Sequence, residues 1–552
     1  MNIVFVIAVV AGTALLSWPA GKYMAAMMHP AAGAKSRVSQ LDRIAGKLAE
    51  QDWKQYCFSL LLFNAFMFTV TFLLLSLQQY LPLNPDGKGA IEPSLVFNTT
   101  ASFVTNTNLQ HYSGEVSMSY LSQLCPLMWL QFVSAATGIA ALCALARCLA
   151  GNVRCGNFYR DVLRATFLVL LPAAIIVALL LVAGGAPMTL QGAATASSPE
   201  GVVQTIARGP VAAFVAIKQL GTNGGGFFGP NSTHPFENPS FLTNIVECMS
   251  IMVLSMACVW MFGRITGRLR HAAVIFGAMA LLLTLKIGFA VYFESAPAAA
   301  LHDLPLVASS NMEGKELRFG STAGPLWAAF TTATSNGSVN SMHNSLNPLA
   351  GLVPLAGMWL NETFGGLGVG MINMFLYLIV GVFIAGLMVG RTPEYLTRKV
   401  ETREMKLAIL ALLVHPLFIL GGTALFASTP WGMGTIKNPG ARGFTEILYE
   451  FSSAAANNGS GYEGLGDNSA PWNIATGLVM LLARFIPIII PLAIAGSLAA
   501  KKPTPVTTGT LRVDTPLFGM VLLGSVILIG ALLFLPVAVL GPVAEHLAAL
   551  PR

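Results

Sequence analysis

Thr222-Asn223-Gly224-Gly225-Gly226 runs straight into Phe227-Phe228-Gly229-Pro230-Asn231, between a short apolar segment ending at Leu220 and a long one beginning near Phe241. Three consecutive glycines pack no core, and holding them in place costs chain entropy. They do let carbonyl groups turn inward without a Cβ in the way. Inside a bilayer, irregular backbone is tolerated only where protein buries it or where it lines a watery cavity. A ring of carbonyls that replaces an ion's hydration shell is one reason to keep such a segment. Taken alone, the stretch also fits a helix C-cap followed by a loop.

Repetition decides between these readings. Three further stretches are of the same kind: Asn106-Thr107-Asn108, Ser335-Asn336-Gly337-Ser338-Val339 and Asn457-Asn458-Gly459-Ser460-Gly461. Aligning Thr107, Asn223, Asn336 and Asn458 gives spacings of 116, 113 and 122 residues. A short, mostly apolar run precedes each: Leu95–Thr105, Pro210–Leu220, Pro325–Thr334 and Gly443–Ala456. A near-constant period marks repeated supersecondary units. Four loops of this kind around one axis predict a pore.

Composition sets the class. Of 552 residues, 55% are hydrophobic and 10% charged, against roughly 25% charged in a soluble domain. Apolar stretches of about 20 residues recur, which predicts a multi-pass membrane protein. The net charge of +7 predicts no nucleic-acid partner, because the basic residues fall in membrane-flanking loops. The seven cysteines lie mostly in apolar spans, with no metal-ligand spacing, and are expected to be buried small hydrophobes.

The first span is expected over Ile3–Met28, as a retained helix, since no Lys or Arg precedes its apolar run. A basic loop, His29–Lys54, follows. Four pairs of spans come next: Tyr56–Tyr80 with Tyr120–Ala150, Phe158–Gly184 with Phe241–Arg264, Ala272–Phe293 with Gly368–Gly390, and Met405–Ser428 with Trp472–Ala499. A last helix begins at Pro516. The expected fold is all-α, with ten spans: four fused span–re-entrant loop–span units around a central pore, plus one extra helix at each end. The expected divisions are residues 1–55, 56–155, 156–270, 271–403, 404–502 and 503–552.

Five connections between units hold 20 of the 31 Lys and Arg residues. In a ten-span chain they share one face, which the positive-inside rule makes cytoplasmic. The four Asn/Gly loops and both termini are then expected outside. The loop-bearing segments also carry Glu92, Glu115, Glu237, Glu313, Glu446, Glu463 and Asp467, so a captured ion is expected to be a cation. No carboxylate lies within the four motifs. Neutral carbonyl, hydroxyl and amide oxygens suit a large monovalent ion better than a divalent one. Potassium is therefore the expected ion, with sodium behind it.

The fourfold plan, with T-N-G-G-G-F-F-G-P-N-S-T-H-P-F-E-N-P at Thr222–Pro239, S-N-G-S-V-N at Ser335–Asn340 and N-N-G-S at Asn457–Ser460, resembles the potassium-binding subunit of the bacterial Kdp potassium-transporting P-type ATPase. The resemblance covers essentially the whole chain. It implies a selectivity filter made by Asn106, Thr107 and Asn108; Thr222, Asn223 and Gly224; Ser335, Asn336 and Gly337; and Asn457, Asn458 and Gly459. Only the first loop has no glycine, so its backbone is less free than that of the others.

The resemblance also implies partners: a P-type ATPase subunit that hydrolyses ATP, a single-span accessory subunit and a very small membrane subunit. It implies delivery of potassium to the ATPase subunit through an intramembrane tunnel, in a bacterial inner membrane with the filter loops facing the periplasm. The sequence agrees in having no D-K-T-G phosphorylation motif and no G-x-x-x-x-G-K-[ST] phosphate loop. The chain is thus expected to be a non-catalytic subunit with no organic cofactor. The alternative is a self-sufficient potassium channel or ion-coupled symporter, which shares the fourfold plan. A non-transporting scaffold leaves four matched loops unexplained.

Gly365–Gly370 predicts a bent or broken helix in the third unit, with Gly368 and Gly370 in a possible gate and Arg391 as its cation or an interfacial anchor. Gln110 and His343 follow loop motifs and are candidates for the vestibule or for loop hydrogen bonding. Lys286 and Arg484 lie in apolar stretches, where a charge is costly and marks a functional candidate. For each the alternative is a structural ion pair or a snorkelling side chain.

Overall fold

Each repeat opens and closes on a helix long enough to cross a bilayer, and between them lies a short helix that is not. The computed structural model describes residues 2–30, 41–43, 46, 48–297, 310–388, 390, 392–505 and 512–549. Among the described residues, ten helices have the length and composition of membrane spans: Ile3–Met28, Trp53–Ser76, Tyr120–Leu149, Phe158–Ala183, Phe241–Ile265, Leu269–Glu294, Val369–Met388, Thr402–Ala427, Ala470–Ala500 and Pro516–Ala548. They coincide with the ten expected from hydropathy.

The second span of every repeat is more buried than the first, and Tyr120–Leu149 is buried throughout its apolar window. The second spans therefore form the inner wall and the first spans the outer one. Ile3–Met28 lies along Phe241–Ile265. Trp260 Nε1 there donates to Ser17 Oγ at 3.1 Å, and its ring meets Trp18 edge-on. Pro516–Ala548 lies against Leu269–Glu294 and Val369–Met388.

Local sequence sets several helix starts. Asp52 accepts from Gln55 N while Gln55 caps Asp52 N in return, and Ser240 with Thr243 repeats the arrangement. Pro126, Pro172 and Pro542 lie in or beside wide helical turns at Gln123–Met128, Ala165–Leu170 and Val539–Val543, where a missing N–H and ring clash loosen the ladder.

The described parts of the basic connections meet on one side. Gln51 N donates to Gly156 O at 2.7 Å, and Arg147 pairs with Asp161 through two bonds of 2.6 and 3.0 Å. Lys501 pairs with Glu404 at 2.8 Å, Thr504 N donates to Thr397 O, and His271 lies between Tyr395 and Val513. Lys35, Arg37, Lys47 and Arg391 lie outside the described residues.

The glycine cluster expected to bend or break a helix in the third repeat lies at a break: the short helix Pro348–Leu360 ends before it and the span Val369–Met388 begins at its end. Left-handed backbone at Asn361, Phe364, Gly365 and Gly368 (φ 48°, 65°, 60° and 80°) cannot continue a right-handed helix. Cys125 is exposed rather than buried, on a loosened turn at the outer end of its span. Two short antiparallel hairpins, Ala194–Ser197 with Val203–Ile206 and Glu394–Tyr395 with Arg398–Lys399, interrupt the helical pattern.

Candidate functional site

The four short helices are Pro93–Val104, Val211–Leu220, Gly320–Ala333 and Gly440–Ala455, and each ends at one of the Asn/Gly motifs. The four loops that follow share one backbone conformation. Their first residues are left-handed: Asn106 (φ 65°), Thr222 (50°), Ser335 (52°) and Asn457 (51°). So are the third: Asn108 (55°), Gly224 (77°), Gly337 (88°) and Gly459 (99°). The amides of the middle residues, Thr107, Asn223, Asn336 and Asn458, each donate 2.9 Å back to a carbonyl five residues earlier: Ser102, Lys218, Thr331 and Ser453. With each N–H turned into its helix end, the middle carbonyls of all four loops are left without an intramolecular donor among the described residues.

The loops close into a ring. Asn106 Nδ2 donates to Thr222 O (2.9 Å), Asn336 Nδ2 to Lys218 O (3.1 Å), Asn458 Nδ2 to Thr331 O (2.9 Å) and Asn457 Nδ2 to Thr107 Oγ1 (2.9 Å), so each loop is tied to the next and the fourth to the first. The glycines are placed by the same ring. A Cβ on Gly224 would overlap Asn336 O, one on Gly337 would overlap Asn458 O, and one on Gly459 would overlap Thr107 O. The first loop has no glycine yet shares this conformation, because Asn is among the few residues that enter the left-handed region readily. The Gly224 carbonyl accepts from Asn231 Nδ2 at 2.7 Å and so faces its own loop.

Behind the second loop is a polar network that spacing in the sequence does not reveal. Lys218 Nζ, fully buried, pairs with Glu237 and donates to Asn231 Oδ1 (2.7 Å) and Ser232 Oγ (2.8 Å). Glu247 accepts from Ser232 and Gln219 at 2.8 Å each. Asn231, fixed by Lys218, in turn holds the Gly224 carbonyl. Burying such charges is tolerable only when they are paired and hydrogen-bonded.

On the side of Gly337 and Gly459 the ring opens onto a cavity of about 410 Å³, lined also by Gln110, Glu463 and Asp467. Gln110 both lines it and ties the first and second loops, exchanging bonds with Gly226 N (2.7 Å) and Gly226 O (3.0 Å). His343 does not line it: it is buried against Tyr449 OH at 2.6 Å, and burial lowers its pKa to about 3, with Lys315 adding to the effect. Of the seven acidic residues expected to attract a cation, Glu463 and Asp467 reach the cavity. Glu237 is spent on Lys218, Glu115 on Gly229 N, Glu92 on Leu95 N, Glu313 on Ser345 and Glu446 on Lys437 N and Asn438. Burial pushes Glu463 up to about 7. Beside the cavity, burial lowers His111, but the Asp467 charge and the bond to Glu450 outweigh it and take it up to about 9.

The helix break packs against the ring loops on the side away from the cavity. Leu367 N donates to Thr222 Oγ1 (3.0 Å), Ser335 Oγ to Asn361 Oδ1 (2.6 Å), and Asn361 Nδ2 to Ala456 O (3.0 Å). The break thus touches the second, third and fourth loops. A Cβ on Gly138 would overlap Leu367 O, so the inner helix of the first repeat packs against it as well. Gly368 and Gly370 lie on this side, each against backbone: Gly138 and Phe364. Lys286 Nζ reaches the break at Thr363 Oγ1, 2.8 Å, and Glu362 is buried beside it. Arg484, buried, has one long contact, 3.5 Å to Ser134 O. Neither Lys286 nor Arg484 forms a salt bridge among the described residues.

The chain matches the family described as "Potassium-transporting ATPase A subunit" over residues 6–547. It is 50% identical, over 515 residues, to the "Potassium-transporting ATPase potassium-binding subunit" of Geobacillus kaustophilus (strain HTA426), a match covering 92% of this chain and 91% of that protein. Among solved structures it is similar to the potassium transporter TrkH from Vibrio parahaemolyticus, with a TM-score of 0.53 and 13% identity, covering 89% of this chain and 98% of that one. At that identity the likeness speaks to the fold alone.

Proposed function

The chain belongs to the family of potassium-transporting ATPase A subunits, and on that premise we propose that it is the potassium-binding subunit of an ATP-driven import complex. Potassium enters from the cavity side and is bound in the ring by Asn106, Thr107, Asn108, Thr222, Asn223, Gly224, Ser335, Asn336, Gly337, Asn457, Asn458 and Gly459. The middle carbonyls of Thr107, Asn223, Asn336 and Asn458 replace its hydration shell. One observation carries this reading: four middle carbonyls, each without an internal donor, at the same place in four loops of one backbone conformation. A ring built only for packing has no need to leave them free.

The ion then leaves sideways, through a tunnel, to a P-type ATPase subunit, with a single-span accessory subunit and a very small membrane subunit completing the complex. The break at residues 361–368 supports this route, because it is bonded to the ring loops at Thr222 and Ser335, on the side away from the cavity. Repeats 56–155, 156–270, 271–403 and 404–502 are its four units, flanked by 1–55 and 503–552. The cavity, ring loops and termini face the periplasm and the basic connections the cytoplasm. The alternative, a self-sufficient channel or symporter, is distinguished by whether the chain purifies with an ATPase subunit and whether uptake needs ATP.

Potassium uptake against rubidium, measured for Gly224→Asp, tests the ring; unchanged affinity and discrimination would sink it. Orientation is tested by an impermeant thiol reagent on intact cells: a cysteine at position 315 is labelled and one at 398 is not. Arg391→Ser is expected to raise passive potassium leak from liposomes without changing ion preference. Wild-type leak removes Arg391 as the gate.

A further inference from the structure

Beside the cavity, where the fourth repeat meets the first, His111, Glu450 and Asp467 place one nitrogen and two carboxylate oxygens within 4.8 Å of one another. They come from three places: the loop after the first ring motif, the short helix Gly440–Ala455 and the loop after the fourth motif. We propose that these three side chains form a binding site for a zinc-class divalent transition metal. The proposal goes beyond the potassium reading and does not depend on it.

The cluster has more ligand capacity than its internal bonds use. His111 Nε2 faces Glu450 Oε1 at 3.0 Å. The other oxygen of the wholly inaccessible Glu450, Oε2, is buried with no hydrogen-bond partner among the described residues. An orphaned carboxylate oxygen at that depth is costly and calls for an unrecorded cation or water. Two carboxylates also face one imidazole, so a proton on His111 leaves one negative charge uncompensated; a divalent ion in place of that proton balances both.

The imidazole is oriented as a metal ligand requires. Its Nδ1 lies 2.7 Å from Asn473 Oδ1. Asn473 Nδ2 is directed to Ser94 Oγ at 3.0 Å, which leaves Oδ1 as acceptor and Nδ1–H as donor. The Nε2 lone pair then points to the carboxylates, the outer-shell arrangement common at metal-bound histidines. Asp467, half-buried, lines the 410 Å³ cavity and supplies the entry path.

One imidazole and two carboxylates, with water in the fourth position, suit zinc-class ions. Three protein donors, one of them nitrogen, are too few and too soft for calcium. Tetrahedral ligands at bonds of ~2.1 Å lie about 3.4 Å apart. The cluster reaches that span when Asp467, on its loop, closes from within 4.8 Å by up to about 1.4 Å and the His111–Glu450 pair opens slightly. Because the ligands come from the first and fourth repeats, a bound metal staples the closing seam of the ring.

The test is equilibrium dialysis of zinc against the untagged full chain in detergent, beside Asp467→Asn and His111→Gln. The expected result is one zinc per wild-type chain, not displaced by excess calcium, with affinity lowered by about tenfold or more in each variant. Zinc should also raise the thermal unfolding temperature of wild type but not of Asp467→Asn. If His111→Gln does not fold, Asp467→Asn, at the half-buried edge, decides alone. Equal zinc affinity in wild type and Asp467→Asn, or no binding by wild type, overturns the site and leaves a His111–Glu450 ion pair; neither result bears on the potassium ring.

Discussion

The first and second loops of the ring have nearly the same backbone and different chemistry. Asn108 and Gly224 occupy the same position, both left-handed, at φ 55° and 77°, and both donate to the carbonyl six residues back, at 3.1 and 3.0 Å. Glycine at this position is therefore not demanded by φ alone. It is demanded by the neighbour. A Cβ on Gly224 has no room beside the Asn336 carbonyl, whereas the Cβ of Asn108 faces Gly225, where a second Cβ would lie 2.8 Å away. The glycine missing from the first loop has a counterpart one residue further along the second. The Asn108 amide then reaches outward, accepting from Gln131 Nε2 at 3.2 Å.

This pairing breaks most sharply at Gly224→Ala. The added methyl must displace the Asn336 carbonyl, one of the four free oxygens. Potassium affinity in the assembled complex should fall by two decades or more, about 2.8 kcal/mol, with Gly337→Ala and Gly459→Ala alike. Wild-type affinity in all three, by potassium-dependent uptake, would show that the ring is not sterically closed.

Gly225→Ala is gentler, since its Cβ would meet the Asn108 Cβ at 2.8 Å, a smaller overlap than that of a Gly224 Cβ with the Asn336 carbonyl. A loss of about tenfold, near 1.4 kcal/mol, is expected. Asn108→Gly should restore most of it, because the Cβ that Gly225 accommodates is then gone. A double variant no better than Gly225→Ala disproves the compensation between the loops.

Asn108→Gly alone should change affinity by no more than about threefold and lower stability by about 0.4–1 kcal/mol, through added freedom in the unfolded chain. Thermal unfolding and uptake separate the two effects. A large affinity loss would mean that the Asn108 amide, not the backbone shape, is what the first loop contributes.

The smallest effect concerns the cavity. Burial raises Glu463 to about 7, so it is neutral below that pH and negative above it. A carboxylate attracts potassium and a carboxylic acid does not, so apparent affinity should rise as pH goes from 6 to 8. In a cavity open to water, one charge at ~10 Å is worth roughly 0.4 kcal/mol at a dielectric of 80, a change of about twofold. Glu463→Gln should flatten the profile while the Gly224 and Gly225 variants keep it.

Much of the architecture is legible in the chain itself. Ten apolar stretches of spanning length are a property of composition along the sequence, because a bilayer imposes length and hydrophobicity on each helix separately. The four motifs at a near-constant period are equally local, and their register, Thr107 with Asn223, Asn336 and Asn458, reappears as four equal 2.9 Å bonds. The break at Gly365–Gly370 was visible as a glycine cluster, but its start at Asn361 was not, because a left-handed asparagine has no spacing signature.

Only the tertiary structure decided which polar groups are occupied. Glu237 and Glu463 look alike in sequence, yet one is consumed by Lys218 and the other lines the cavity. The His111, Glu450 and Asp467 cluster draws on residues more than 300 positions apart. Period and hydropathy are written in neighbouring residues. Whether a carboxylate is paired, a carbonyl left free or a Cβ excluded depends on what a distant repeat brings against it, and that is settled only when the fourth repeat closes on the first.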